Sequence, residues 1–86
     1  MTRTIVWVSE ATFAYRRLRV DDAEGAARIA AAVNSLAVNA APAGSGRLGG
    51  TNLYRLRSGD YRVLYELDEP ADIIRIMSVG RVPPTG

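Results

Sequence analysis

Between Tyr54 and Glu69 the chain reads YRLRSGDYRVLYELDE, and apolar and polar positions alternate with a period of two on either side of SGD. That period is the mark of a strand with one buried face. Before the turn, Tyr54 and Leu56 fall on one face, and Leu53, Arg55 and Arg57 on the other. After it, Tyr61, Val63, Tyr65 and Leu67 share a face opposite Arg62, Leu64 and Glu66. Gly59 supplies the positive φ that a tight hairpin turn requires. The pattern predicts strands over Asn52–Ser58 and Tyr61–Leu67. LDEPAD then turns the chain into a third strand, Asp72–Val79.

The first half has a different rhythm. TIVWV, Thr4–Val8, is β-branched and aromatic and reads as a strand. Ser9 is the expected N-cap of a short helix over Glu10–Leu18, with Glu10 in its first turn and Phe13, Arg17 and Leu18 near one side. Asp21 or Asp22 can cap a second helix, Ala23–Asn39, whose stripe of Ile29, Val33 and Leu36 needs a covering layer. Gly25 costs that helix about 1 kcal/mol relative to alanine. Pro42 forbids its continuation, and Pro42–Thr51 reads as a loop. Strand, helix, helix and three consecutive strands make a single α+β domain over residues 1–86, with helices on one face of an antiparallel meander. Arg55, Arg57, Arg62 and Glu66 then emerge on the uncovered face.

Composition narrows the chemistry. With 86 residues, 48% of them hydrophobic, the chain has material for one small core. It has no cysteine and no histidine, which excludes disulfides, thiolate metal sites and a histidine base, so no metal or cofactor is expected. The net charge is +2, and all 11 cations are arginine, a bias that a GC-rich coding sequence also produces. Arginine presents a planar fork of donors that matches phosphate and does not deprotonate near neutral pH. No apolar stretch reaches the roughly 20 residues of a membrane span, and the N-terminus lacks a signal-peptide layout, so a cytoplasmic protein without a membrane partner is expected.

GSGRLGG follows a helix rather than a strand and is not a Walker sequence. The serines and threonines lack an evident activating base, and Glu66, Asp68, Glu69 and Asp72 mostly belong to a turn. What remains is arginine with tyrosine on a sheet face, a pairing suited to phosphate and to bases. RNA cleavage through its own 2′-hydroxyl needs a base, cations around the phosphorane and an acid for the departing 5′-oxygen. Arginine serves only the middle role. The competing reading of these arginines is a solvated or salt-bridged face.

The stretch RLGGTNLYRLRSGDYRVLYELDEPADIIRIMSVGR, Arg47–Arg81, resembles the RelE/ParE family of bacterial toxins from type II toxin–antitoxin pairs. The resemblance implies a microbial-RNase-like toxin, neutralised by a cognate acidic antitoxin whose C-terminal segment wraps it. It also implies a toxin–antitoxin hetero-oligomer able to bind operator DNA. RelE-like members cleave mRNA in the ribosomal A site without a metal. By resemblance Arg62 contacts the scissile phosphate, and Arg55 and Arg81 complete the basic set. In a nuclease reading Glu66 is the candidate base, and Tyr61 or Tyr65 the candidate stacking group or acid. Arg57, Tyr61 and Arg47 are the candidate RNA-binding residues. Val82 stands where the family commonly has a further arginine, Leu53 stands where some members have a lysine, and PPTG lacks the usual tyrosine. The alternatives are a ParE-like inhibitor of DNA gyrase and a non-cleaving protein that only binds its antitoxin.

Overall fold

The alternation along residues 53–68 becomes a hairpin in the structure, a computed structural model that describes residues 2–83. In chain order the elements are β1 (Thr4–Trp7), α1 (Ser9–Asp21), α2 (Ala23–Ser35), β2 (Ser45–Arg47), β3 (Leu53–Ser58), β4 (Tyr61–Asp68) and β5 (Ile73–Arg81). The strands form one five-stranded sheet in the order β1-β5-β4-β3-β2. β1 runs parallel to β5 and every other neighbour is antiparallel.

The phase read for β4 holds along its whole length: Tyr61, Val63, Tyr65 and Leu67 are buried, and the residues between them are half-exposed. They pack under the helix stripe Ile29, Val33 and Leu36, with Leu56, Ile74 and Ile76 from the neighbouring strands. Each fully buried aliphatic side chain contributes about 1.5–3 kcal/mol, so this one layer between helices and sheet is the main stabilising element. Both helices lie on that face, and the other face is open.

The sheet has one irregularity with large consequences. Leu64 pairs with Ser78 but Tyr65 pairs with Ile76, so Met77 is an extra residue, a β-bulge in β5. Before it, Ile74 and Ile76 face the helices and Arg75 the open side. After it, Gly80 lies opposite Arg62 and Arg81 opposite Tyr61, so the phase has inverted.

Several expectations need correction. The stretch read as a loop over Pro42–Thr51 contains β2, which pairs with β3 through Ser45↔Leu56, Gly46↔Arg55 and Arg47↔Tyr54. Ser9 is inside α1, whose N-cap is Val8 without a side-chain cap. α1 runs on to Asp21 instead of ending at Leu18. α2 ends at Ser35 instead of Asn39, because the Leu36 and Val38 N–H groups bond back three residues, to Val33 and Ser35. Part of PPTG, from Pro84 onward, lies outside the described residues.

Asp22 caps α2: its Oδ1 accepts from the Gly25 N–H at 3.0 Å. Gly25 is where this cap meets the sheet. A Cβ there would stand 2.5 Å from Asp22 Oδ2 and 2.7 Å from Tyr61 Cε2. Gly25→Ala should therefore destabilise by about 1–3 kcal/mol, although alanine is the better helix former. Urea denaturation of the two proteins checks it, and an unchanged or raised midpoint would contradict the close approach.

Candidate functional site

The open face carries a cross-strand row of Arg57 on β3, Arg62 on β4 and Gly80 on β5. Arg55 stands two residues from Arg57 on the same face, with Gly46 of β2 opposite it. Together with Gly44 and Ser45, these three arginines and Gly46 line an open basin of about 380 Å³. Gly46 and Gly80 bound the arginines without side chains, and a Cβ at either would touch nothing within 4 Å. The Arg57 Nε donates to the Gly59 carbonyl at 2.7 Å, which ties that side chain to the hairpin turn.

Among the described residues the ion pairs are Arg75–Glu66 and Arg75–Asp68, so Arg55, Arg57 and Arg62 have no carboxylate partner. Like charges directly opposite across two strands destabilise, by about 0.2–1 kcal/mol for such a pair. An anion between Arg57 and Arg62 would reverse the sign, and the guanidinium fork suits a phosphodiester. No side chain lining the basin exchanges protons near neutral pH. The basin can hold an anion and stabilise charge, but it holds no general acid or base.

Glu66 lies on the same face without facing the basin. It is four residues from Arg62, roughly 13 Å along the strand, and its Oε1 is held by Arg75 Nη1 at 2.7 Å. The same nitrogen reaches Asp68 Oδ2 at 3.0 Å. Asp68 first, then Glu66, raise the pKa of Arg75 above its ordinary value. Arg75 was not among the sequence candidates, although its place between Ile74 and Ile76 puts it on the open face.

Arg81, Tyr61 and Arg47 lie on the helix side of the sheet, away from the basin. Arg47 is opposite Tyr54, and its Nε donates to the Thr51 carbonyl at 2.6 Å. Tyr61 is 6% exposed, and its hydroxyl donates to Asp22 Oδ2 at 2.7 Å. Arg81 Nη2 donates to the same hydroxyl at 3.2 Å, with the guanidinium carbon 5.2 Å from the ring centroid. Tyr65, the other candidate for stacking or proton donation, is fully buried, donates to the Ala40 carbonyl at 2.6 Å and stacks on Tyr54. Burial pushes its phenol above the ordinary range.

The bond from the Gly25 N–H, then that from Tyr61, hold the Asp22 carboxyl below its ordinary 3.8. The bond to Asp22, then burial, push the Tyr61 phenol above its ordinary 10.0. A depressed carboxyl stabilises the fold above its unfolded pKa and loses that contribution as pH falls through the folded one. A raised phenol stabilises below its unfolded pKa and loses the contribution as pH rises through the folded one. The pair is therefore intact between about pH 4 and pH 10.

Among the described residues no group of three or more acidic side chains is placed to hold a metal ion, and no helix is long and apolar enough to cross a membrane.

Two helices on one face of this five-stranded mixed sheet make the α+β fold of the RelE-like toxins. The isolated E. coli RelE toxin superposes with a TM-score of 0.83 at 13% identity, covering 96% of this chain and 87% of that one. The archaeal RelE–RelB complex from Pyrococcus horikoshii gives 0.81 at 25% identity, covering 94% and 96%. The YoeB dimer from Staphylococcus aureus gives 0.77 at 21% identity, covering 96% and 100%. The sequence profile of the ParE toxin of the type II toxin–antitoxin system parDE matches residues 11–82, so the chain belongs to the ParE toxin family. A search of curated protein sequences found no match.

The unpaired arginines yield a stability test. Arg62→Gln in low-salt buffer should leave stability unchanged or raise it by about 0.2–1 kcal/mol, because it removes the Arg57–Arg62 repulsion. Added sulfate should raise the wild-type melting temperature, and the variant should show less than about half that shift. An equal shift in both proteins would place the anion elsewhere.

Proposed function

We propose that this toxin is a metal-independent endoribonuclease that cuts mRNA in the A site of translating ribosomes and is held in check by a cognate acidic antitoxin. The observation that carries the reading is the trio Arg55, Arg57 and Arg62, unpaired on an open sheet face between two glycines. The 2′-hydroxyl oxygen attacks phosphorus as the bond to the 5′-oxygen breaks, leaving a 2′,3′-cyclic phosphate and a 5′-hydroxyl. Negative charge grows on the phosphoryl oxygens in the transition state, and fixed guanidinium donors stabilise it more than they stabilise the ground state. The lining side chains exchange no proton, so the 2′-proton leaves to water or a ribosomal group, and the 5′-oxygen is protonated from the same sources. Glu66, bound to Arg75, is outside this scheme.

An antitoxin partner is supported by the relatives, which include the intact E. coli RelBE toxin–antitoxin complex and the YoeB–YefM complex from S. aureus. A second reading is a ParE-like toxin that binds DNA gyrase without cutting nucleic acid. The absence of an acid or base among the basin residues favours it, as does the match to the parDE toxin.

Cleavage of a reporter message on translating ribosomes separates the two. Arg62→Ala should lower the rate by about 10²–10³-fold, the usual cost of one electrostatic donor. Glu66→Gln should stay within about threefold of wild type, because a residue outside the transition state leaves the barrier nearly unchanged. An intact message with wild-type protein, together with inhibited supercoiling by purified gyrase, would establish the gyrase reading instead.

A further inference from the structure

The end of β4 that carries Arg62 is held from the far side of the sheet. Arg57 and Arg62 repel each other at the last pair but one before the hairpin turn, a place where β3 and β4 would otherwise splay. Tyr61 immediately precedes Arg62 and points to the other face. Its hydroxyl has one proton and gives it to Asp22, and it accepts a hydrogen bond from Arg81. The result is a directional chain from Arg81 to Tyr61 to Asp22, ending on the Asp22 carboxylate that also caps α2 through Gly25. It joins the last residue of β5, the first residue of β4 and the start of α2. Val82 extends the closure by donating its N–H to the Asp60 carbonyl at 2.8 Å.

We propose that Arg81 and Tyr61 are positioning residues, which fix the Arg62 guanidinium for a phosphodiester from the opposite face through the Asp22–Tyr61–Arg81 latch. The proposal rests on the reading of the basin as a phosphate site. Arg81 is exposed, yet it lines a separate crevice of about 240 Å³ with Ala14, Arg17, Leu18 and Asp21, against α1 and on the helix side. Its cation lies over the Tyr61 ring and makes no approach to the basin. The latch opposes the repulsion between Arg57 and Arg62, and so keeps them at the spacing that an anion bridges. Pre-set donors of this kind lose less freedom on binding.

The test uses a 2′-O-methyl RNA oligonucleotide, which cannot be cut, and reads its affinity over a series of salt concentrations. Arg62→Ala should weaken binding and flatten the slope of log K against log salt by about 0.7, the loss of one single-strand phosphate contact. Tyr61→Phe, which keeps the ring, and Arg81→Met should each weaken binding by about tenfold with an unchanged slope, because neither side chain touches phosphate. Arg81→Lys, which retains the cation and a donor for the hydroxyl, should recover most of that loss. Wild-type affinity in Tyr61→Phe overturns the latch, whether or not Arg81→Met folds. A flatter slope in Arg81→Met also overturns it, since Arg81 would then be a phosphate ligand itself. If Arg62→Ala changes neither affinity nor slope, the phosphate reading of the basin fails, a result distinct from failure of the latch.

Discussion

Burial of every second residue of β4 beneath two helices is the constraint on which the rest of the molecule depends. β4 is the middle strand, with β3 and β5 hydrogen-bonded to its two edges. Its phase sets theirs, because directly opposed residues share a face. A slip of one residue would carry Tyr61, Val63, Tyr65 and Leu67 into water and drive Arg62 and Glu66 under Ile29 and Val33. Such a slip would cost several buried side chains and bury uncompensated charge. The same register that protects the core therefore sets Arg55, Arg57 and Arg62 side by side on the open face.

The arginines of β3, β4 and β5 find three kinds of company. Arg75 takes two carboxylates, Glu66 and Asp68. Arg81 takes an aromatic ring and a phenol. Arg55, Arg57 and Arg62 take neither, since Glu66 and Asp68 are bound to Arg75 and Asp22 is turned toward Tyr61. The basin is basic because, among the described residues, no carboxylate pairs with its arginines. Exposed positive charge thus marks the site more clearly here than total charge, which is only +2.

The parts of this fold legible in the sequence are those with strong periodicity. The β3–β4 hairpin, the helix stripe and the face of the three arginines all follow from apolar spacing alone. β2 was invisible because Ser45, Gly46 and Arg47 have no strand pattern of their own, and their pairing is imposed by the β3 backbone. The place of Arg81 was hidden for a different reason. Counting in twos from Arg75 puts Arg81 on the open face, and only the extra residue at Met77 sends it to the other. The bond between Asp22 and Tyr61 spans 39 residues, beyond the reach of any local pattern.

The bulge gives β5 two parities, one on each side of Met77. Length at that point is absorbed by the bulge rather than passed along the strand. Loss of Met77 would close the bulge and leave every later pair in place, Arg81 opposite Tyr61 included. Met77 drawn into the ladder would instead turn Val79 out of the core and move Arg81 one place past Tyr61. The strand can thus lose one residue without any change in which side chains face the helices, a tolerance that position-by-position comparison of side chains does not register.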